Sequence, residues 1–309
     1  MNLNFTAILA STLAIAAPLL YASIGELLSQ RGGILNLGLE GLMLIGAVTG
    51  YIAGLHTGSV VVAVAAAMIS GAVVGVLYAF FTVTMQANQV VCGLALVIIG
   101  FGISGLLGRP IFGLTSTAVF RTLPIPGLSE IPVIGDILFN QNLLVYALYF
   151  IVPIVSFYIY KTRPGLALRA VGENPAAMDA VGISATRIRY VHVIIGSALV
   201  ALGGAYITLA FTPTWVTGIT AGKGWIAVAL VIFSGLKPHN LVLGAILFGA
   251  VEIMGMHMQM LGVGISSFIV SMFPYICTVL VLIVSTGNFR KSSYSTPAAL
   301  GKHYDREDR

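Results

Sequence analysis

The side chains of this sequence best placed to do chemistry are ionisable groups that interrupt long apolar runs. Glu40 and Glu252 both lie within such runs. A charged side chain at mid-bilayer costs about 2.5–3.5 kcal/mol on insertion scales, so one that is kept usually faces protein or a water-filled path. For Glu40 two interpretations stay open: a group that lines or gates a pore, and a structural hydrogen-bonding group or subunit contact. A structural role is favoured for Glu252. His192 and His257 are expected to be packing residues, because no metal-ligand spacing surrounds them.

Polar and aromatic residues near the ends of apolar runs extend this set. Asn36, Asn88 and Gln89 stand where runs begin, so they either bond the free N–H groups of helix ends or line a path. Trp215 and Trp225 suit an aromatic belt near the outer face of a membrane, and stacking against a nucleobase is the alternative. The candidate translocation path therefore consists of Asn36, Glu40, Asn88, Gln89 and Trp225.

No motif for enzyme chemistry accompanies these residues. The sequence contains no G-x-x-x-x-G-K-[ST] phosphate loop, no H-E-x-x-H and no G-x-S-x-G. Ser104 has no plausible base near it in sequence. Cys92 and Cys277 lie inside apolar runs, where thiols act as small apolar residues. The sequence therefore predicts no catalytic, metal-binding or cofactor-binding residue in this chain.

The elements that must position the polar groups follow from composition. The chain has 309 residues, of which 58% are apolar and 8% charged, against about 25% charged in soluble domains. Runs long enough to cross about 30 Å of hydrocarbon, at about 20 residues each, give about nine spans, and eight to ten are compatible with the pattern. They lie near residues 3–24, 34–55, 58–84, 88–107, 142–160, 190–212, 223–236, 241–261 and 264–285. The predicted fold class is all-α, a polytopic transmembrane helical bundle.

Basic residues set the predicted orientation of the bundle. Lys and Arg concentrate in 161–189 and in the tail, so both are predicted to be cytoplasmic, and 108–141 is predicted to lie outside. Residues 1–288 form a single transmembrane domain, and 289–309 form a disordered cytoplasmic tail. The net charge of +5 resides in these loops and does not indicate nucleic-acid binding.

The segment 161–190 carries the clearest local pattern. Asn174 can cap the free N–H groups of a helix, and Pro175 fits its first position without losing a bond. Gly182 supplies a left-handed stop, and Ser184 can cap the next helix. The pattern predicts a short helix over about 175–181. Its small side chains are those of Ala176, Ala177 and Ala180. Two interpretations stay open: a helix held in a cleft of a partner protein, and an ordinary surface helix.

Three stretches resemble one family of transport proteins. GLALRAVGENPAAMDAVGI, followed by a small-residue helix, is similar to the coupling-helix region of ABC-importer permeases, in particular those for branched-chain amino acids, simple sugars and nucleosides. GGILNLGLEGLMLIGA, Gly32 to Ala47, is similar to the glycine-rich second helix of that family, in the asparagine form of the nucleoside branch. Gly222 to Glu252 resembles a late segment of the same branch. The run Leu35-Asn36-Leu37-Gly38 departs from the sugar members, which argues against a sugar.

The resemblance implies a permease subunit in the inner membrane of a prokaryote, importing nucleosides or related small polar solutes. ATP and Mg²⁺ would be bound by a partner ATPase, since this chain has no phosphate loop. The resemblance also implies a second, non-identical permease and an extracytoplasmic substrate-binding protein. The implied ATPase-coupling residues are Glu173, Asn174, Pro175, Ala176, Ala177, Met178, Asp179 and Gly182.

Two other functions compete with this one. A stand-alone ion-coupled transporter could use Glu40 and Glu252 as proton sites, but it would leave the long 161–190 segment without a role. An ABC permease for simple sugars or branched-chain amino acids would keep the coupling segment and change only the solute.

Overall fold

The computed structural model describes residues 5–260, 266, 269, 272–280, 283 and 296–305, and these are mostly helical. The first half contains α1 (Phe5–Arg31), α2 (Leu39–Thr57), α3 (Val60–Ala79) and α4 (Gln89–Gly108). The connecting segment holds β1 (Thr122–Pro124), α5 (Ile134–Leu138) and β2 (Asn140–Asn142). The second half contains α6 (Leu143–Lys161), α7 (Arg163–Glu173), α8 (Pro175–Ala180), α9 (Ala185–Tyr206), α10 (Lys223–Phe233) and α11 (Pro238–Met260).

Several long helices extend beyond their regular α-helical turns. Both α3 and α9 end in a five-residue π-helical turn, Phe80–Thr84 and Ile207–Phe211, and α4 continues into a 3₁₀ turn at Arg109–Ile111. With these turns included, seven helices of the described residues are long and apolar enough to cross a membrane. They are α1, α2, α3, α4, α6, α9 and α11.

The predicted spans and the observed helices agree, with one exception in length. The predicted span 223–236 is α10, whose 11 residues extend about 16 Å at 1.5 Å per residue. This helix is too short to cross about 30 Å of hydrocarbon. The predicted span 264–285 is described only at residues 266, 269, 272–280 and 283, of which 272–280 are helical. The bundle is the predicted all-α fold, apart from a short hairpin.

Helix α9 lies at the centre of the bundle, packed against α1, α2 and α3. Close approach of the backbones makes this packing possible, as is common where small residues line helix contacts in lipid. A Cβ atom on Gly204 would lie 1.9 Å from the carbonyl oxygen of Met43 in α2. A Cβ on Gly46 would lie 2.1 Å from the carbonyl oxygen of Ala201 in α9. Because these glycines have no side chains, the backbones of α2 and α9 can lie in direct contact.

The chain folds back on α1 before α2 begins. Helix α1 continues to Arg31, beyond residue 24, where the first predicted span ends. Residues 32–38 are not helical and run back along α1, where the Asn36 N–H donates to Glu26 Oε1 at 3.0 Å. Glu26 lies five residues, or about 7.5 Å, before the end of α1. Helix α2 therefore begins inside the bundle.

Helix α10 also begins inside the bundle. The Ser23 hydroxyl lies 3.4 Å from the Ala227 carbonyl oxygen, and Arg31 Nη2 donates to the Leu236 carbonyl at 2.6 Å. These contacts place α10 parallel to the second half of α1. The preceding stretch, 212–222, is without regular helix and returns into the bundle from the opposite end.

The two connecting regions differ from the sequence expectations. In the segment between α4 and α6, β1 pairs antiparallel with β2, a hairpin that the all-α prediction did not include. The prediction of a disordered tail over 289–309 is wrong for 296–305. The Ala299 N–H donates to Gly172 O at 2.9 Å, and the Gly301 N–H donates to Gly33 O at 3.2 Å. The remaining tail residues lie outside the described ones.

Candidate functional site

Local hydrogen bonds form the short helix α8, as the sequence predicts. Asn174 Oδ1 accepts from the Ala177 N–H at 3.0 Å, and Pro175 occupies the first helical position. Gly182 has φ of +85°, the left-handed value that ends a helix and that side chains with a Cβ rarely adopt. Helix α8 therefore has both of the terminal signals that the sequence showed.

Helix α8 is fixed to the long helix α9 by a short link. Asp179 Oδ1 accepts from the Ala185 N–H at 3.1 Å, which ties α8 to the first residue of α9. Ser184 caps α9 by accepting from the Arg187 N–H at 3.3 Å. These bonds join α8 directly to the central helix of the bundle.

The outer face of α8 is exposed and built from small side chains. The predicted coupling residues on the surface are Glu173, Asn174, Ala176, Ala177 and Gly182. Pro175 is buried, and Met178 and Asp179 are half-buried. Two exposed apolar neighbours, Val181 (69% exposed) and Ile183 (38% exposed), were not predicted. Exposed apolar side chains beside a helix of small residues suit contact with another protein.

Inside the bundle, Glu40 caps the first turn of α10. Its Oε1 accepts from the Gly222 N–H at 2.9 Å and from the Thr220 hydroxyl at 2.5 Å. Its Oε2 accepts from the Gly224 N–H at 2.7 Å. The side chain is 2% exposed. A helix N-terminus carries partial positive charge and free N–H groups, so a carboxylate stabilises it.

Lys223 and Glu252 form an ion pair beside this cap. Lys223 Nζ lies 2.6 and 2.7 Å from the two carboxylate oxygens of Glu252, and the side chains are 11% and 19% exposed. Lys223 belongs to the first turn of α10, and Glu252 belongs to α11. The structural role expected for Glu252 agrees with this pairing, because each charge neutralises the other where water is scarce.

A second polar cluster surrounds the turn before α2. Glu26 Oε1 accepts from the Asn36 N–H and from Gln30 Nε2 at 2.8 Å, while Asn36 Oδ1 accepts from the Gly38 N–H at 2.8 Å. Gln89 Oε1 accepts from the Leu35 N–H at 2.8 Å. These bonds satisfy the non-helical backbone between α1 and α2, as backbone at membrane depth requires.

The five candidate path residues therefore separate into two groups. Asn36, Glu40 and Gln89 are buried, and hydrogen bonds hold them to non-helical backbone or to a helix end. Asn88 is exposed and caps α4, and Trp225 is 37% exposed in the first turn of α10. Sequence reasoning missed Glu26 and Thr220. The spacing of Glu26 and Gln30 by four residues was the available signal for a polar face on α1.

Residues 8–285 match the family described as "Branched-chain amino acid transport system / permease component". The chain belongs to this permease family. Within it, the chain is 33% identical to the guanosine ABC transporter permease protein NupQ of Bacillus subtilis, over 89% of this chain and 90% of that protein. It is also 33% identical to "Putative glucose ABC transporter permease protein TsgC13" of Haloferax volcanii, over 97% of this chain and 98% of that one.

A solved structure supports the fold assignment. It is described as "An inward-facing conformation of a putative metal-chelate type ABC transporter" and is 14% identical in sequence. The TM-score is 0.52, with 91% of this chain and 85% of that chain covered. The chain is therefore a multi-pass membrane permease subunit of an ABC transporter, with the helical fold found in that class.

Proposed function

We propose that this permease imports nucleosides, or related small polar solutes, and that a separate ATPase drives it by docking on α8. The observation that carries the proposal is the exposed small-residue face of α8 together with its fixed link to α9. The Asp179 bond to Ala185 gives the exposed helix a direct connection to the long helix that enters the bundle.

The proposed path of force runs from α8 into the core of the bundle. Because α9 contacts α1, α2 and α3, a shift of α8 reaches three other spans. The contact between Gly204 and Met43 leaves no room even for a Cβ, so α9 cannot shift toward α2 without displacing it. The bundle would therefore respond as rigid pieces, which suits alternating access.

The solute assignment rests on relatives and on the pore-side chemistry. A guanosine permease and a glucose permease are equally identical to this chain, so identity alone does not separate the two solutes. The asparagine form of the second-helix motif, which begins at Asn36, favours the nucleoside. Trp225, half-exposed at the start of α10, offers an aromatic face against which a base can stack. A simple sugar is the second candidate.

The proposal also names the partner proteins, the orientation in the membrane and the cellular membrane. ATP and Mg²⁺ would be held by the ATPase, a second and non-identical permease would complete the pore, and an extracytoplasmic binding protein would deliver the solute. The end of the bundle that carries α7 and α8 would face the cytoplasm, because its loops hold most of the basic residues. The membrane would be the inner membrane of a prokaryote.

Replacing Gly182 with proline tests the docking proposal. Proline cannot adopt φ of +85°, so the end of α8 must rearrange while the membrane spans stay intact. We expect the amount of Gly182→Pro protein in membranes to be unchanged and ATP-dependent uptake of radiolabelled guanosine to fall at least tenfold. The ATPase should no longer co-purify with the variant.

The matched control is Gly113→Pro. Gly113 has φ of +77° and no atom within 4 Å of an added Cβ, but it lies in the segment after α4, away from α8. Normal uptake by Gly182→Pro, with the ATPase still bound, would contradict the proposal. Uptake of glucose in place of guanosine would keep the docking mechanism and change the solute. Uptake that an uncoupler stops and ATP depletion does not would identify an ion-coupled transporter instead.

A further inference from the structure

A basic cleft lies at the end of the bundle that carries α7 and α8. Its cavity volume is about 940 Å³. The basic side chains that line it are those of Arg31, Lys161, Arg169, Lys237 and His239, and Glu173 is the one carboxylate among the lining residues. These groups come from the ends of α1 and α6, from α7 and from the start of α11. The cleft is therefore strongly positive and lies where membrane spans end.

Two half-buried arginines of the cleft flank one tyrosine ring, and Arg31 also donates to the Leu236 carbonyl oxygen and to the Tyr160 hydroxyl. The guanidinium carbons of Arg31 and Arg169 lie 5.9 and 5.5 Å from the centroid of the same Tyr160 ring. Neither arginine forms an ion pair with a carboxylate among the described residues. Arg169 Nε is buried and has no acceptor within that part of the chain. A buried donor without an acceptor is costly, so a ligand oxygen would stabilise it.

An apolar crevice continues from the basic cleft along the same helices. It has a cavity volume of about 280 Å³ and is lined by α1, α6 and α11. Pro153 lines both cavities, and Leu20, Leu148 and Val242 are among the apolar residues of the crevice. Pro153 lies eight residues before Lys161, or about 12 Å along α6. This distance is close to the hydrocarbon depth of one leaflet, about 15 Å.

The outer surface of α6 beside these cavities is apolar and exposed. Phe150, Ile154 and Phe157 are 68%, 62% and 63% exposed. In a membrane permease such a surface faces lipid chains. A molecule with an anionic head and an apolar tail can therefore enter the cleft from the side, without leaving the membrane. A free anion would need only the basic part.

We propose that this cleft and crevice bind one anionic phospholipid of the adjacent leaflet. The phosphate would lie between Arg31, Lys161 and Arg169, and an acyl chain would run past Phe157 and Pro153 into the crevice. Basic pockets between spans on the cytoplasmic side bind anionic lipid headgroups in other membrane proteins. This inference goes beyond the proposed transport function and does not depend on which solute is carried.

The test is lipid binding by the purified full-length chain, measured by native mass spectrometry in detergent. We expect dioleoyl phosphatidylglycerol to be retained at concentrations at least tenfold lower than dioleoyl phosphatidylcholine. The double variant Lys161→Gln/Arg169→Gln should lose this preference, because it removes two of the basic side chains that would attract the anionic headgroup. Lys161→Gln alone, at an exposed position, should lose part of it.

The matched control is Arg163→Gln/Arg187→Gln, which removes two exposed positive charges near α7 and α9 but none from the cleft. This control should retain phosphatidylglycerol as the unaltered chain does. Equal retention of the two lipids by the unaltered chain would overturn the proposal. Equal losses of phosphatidylglycerol retention in the cleft variant and in the control would also overturn it, because the change in net charge alone would then explain both losses.

Two further arms separate a lipid from a free anion. Phosphatidylglycerol with six-carbon chains should bind at least tenfold more weakly than the dioleoyl form, because its short chains bury far fewer CH₂ groups in the crevice. Inorganic phosphate at millimolar concentration should not displace the dioleoyl lipid. If the short-chain lipid bound equally well, or if phosphate displaced the long-chain one, the lipid proposal would be wrong and the cleft would be a site for soluble anions.

Discussion

Helices α8 and α10 are both short, and the first turn of each is capped by a side-chain oxygen, yet the caps have different origins. The cap of α8 is Asn174, the residue directly before it. The cap of α10 is Glu40, which lies 180 to 184 positions away in sequence from its donors. The first cap is neutral and exposed, and the second is acidic and buried.

This difference teaches how a helix at the surface and a helix inside the bundle are each started. An exposed helix start can also bond to water, so a neutral local cap is enough and the helix remains available to a partner. A helix that starts inside the membrane has no water to use, so its N–H groups need a strong acceptor from another span. The local cap leaves α8 exposed at the surface, whereas the remote cap joins α2 to α10.

The largest expected effect comes from removing the remote cap. Glu40→Ala leaves the N–H groups of Gly222 and Gly224 and the Thr220 hydroxyl without their acceptor. At about 1–3 kcal/mol for each unsatisfied group, the loss in free energy of unfolding should be about 3 kcal/mol or more. We expect a large drop in the amount of folded protein in membranes and in its melting temperature in detergent.

The control for this prediction is Glu130→Ala, which removes an exposed carboxylate from the segment between α4 and α6. It should leave the melting temperature unchanged. If Glu40→Ala were as stable as the unaltered protein but transported solute slowly, the cap would not be needed for folding. That result would favour the interpretation of Glu40 as a group that lines or gates the pore.

A smaller effect is expected from the neighbouring ion pair. Lys223→Leu or Glu252→Leu alone leaves one charge unpaired in a mostly buried place, so each single variant should lower the melting temperature clearly, by the equivalent of about 2 kcal/mol. The double variant should recover much of that loss, because no unpaired charge remains. A double-mutant cycle on melting temperatures measures the coupling. Additive losses would show that the two side chains act separately.

The smallest effect on stability is expected at the local cap. Asn174→Ala removes the acceptor for the Ala177 N–H, and such caps contribute about 1 kcal/mol. The melting temperature of the whole bundle should hardly change, while ATP-dependent uptake should fall severalfold because α8 frays. Asn174→Asp, which keeps an acceptor oxygen, serves as the control and should transport normally. A loss of stability as large as that of Glu40→Ala would remove the distinction between the two caps.

The predictable parts of the molecule are those governed by neighbours in sequence. The spans follow from apolar length, and α8 follows from Asn174, Pro175 and Gly182, because caps and breakers act within one turn. The docking role of α8 remains a prediction, although the structure places its small residues at the surface. The short length of α10 was visible in the sequence only as the short predicted span 223–236.

Other features depend on contacts that no local pattern shows. Trp215, expected near the outer face in an aromatic belt, is only 1% exposed because it lies against Gly108 of α4. The tail was expected to be disordered on its polar composition, but Ala299 and Gly301 hydrogen-bond to the ends of α7 and α1. These tail contacts are hydrogen bonds between backbone groups, which every residue carries, so amino-acid composition does not predict them.

The amino-acid sequence by itself determined that the chain is a helical membrane bundle with one helix presented on a basic loop, because hydrophobic length, charge bias and helix caps act locally. Only the tertiary structure decided that Glu40 closes the start of α10, that Lys223 pairs with Glu252, and that a basic cleft meets an apolar crevice at Pro153. Each of these joins residues far apart in the chain. Their proximity is set by how the helices pack, and that packing follows from the whole sequence at once.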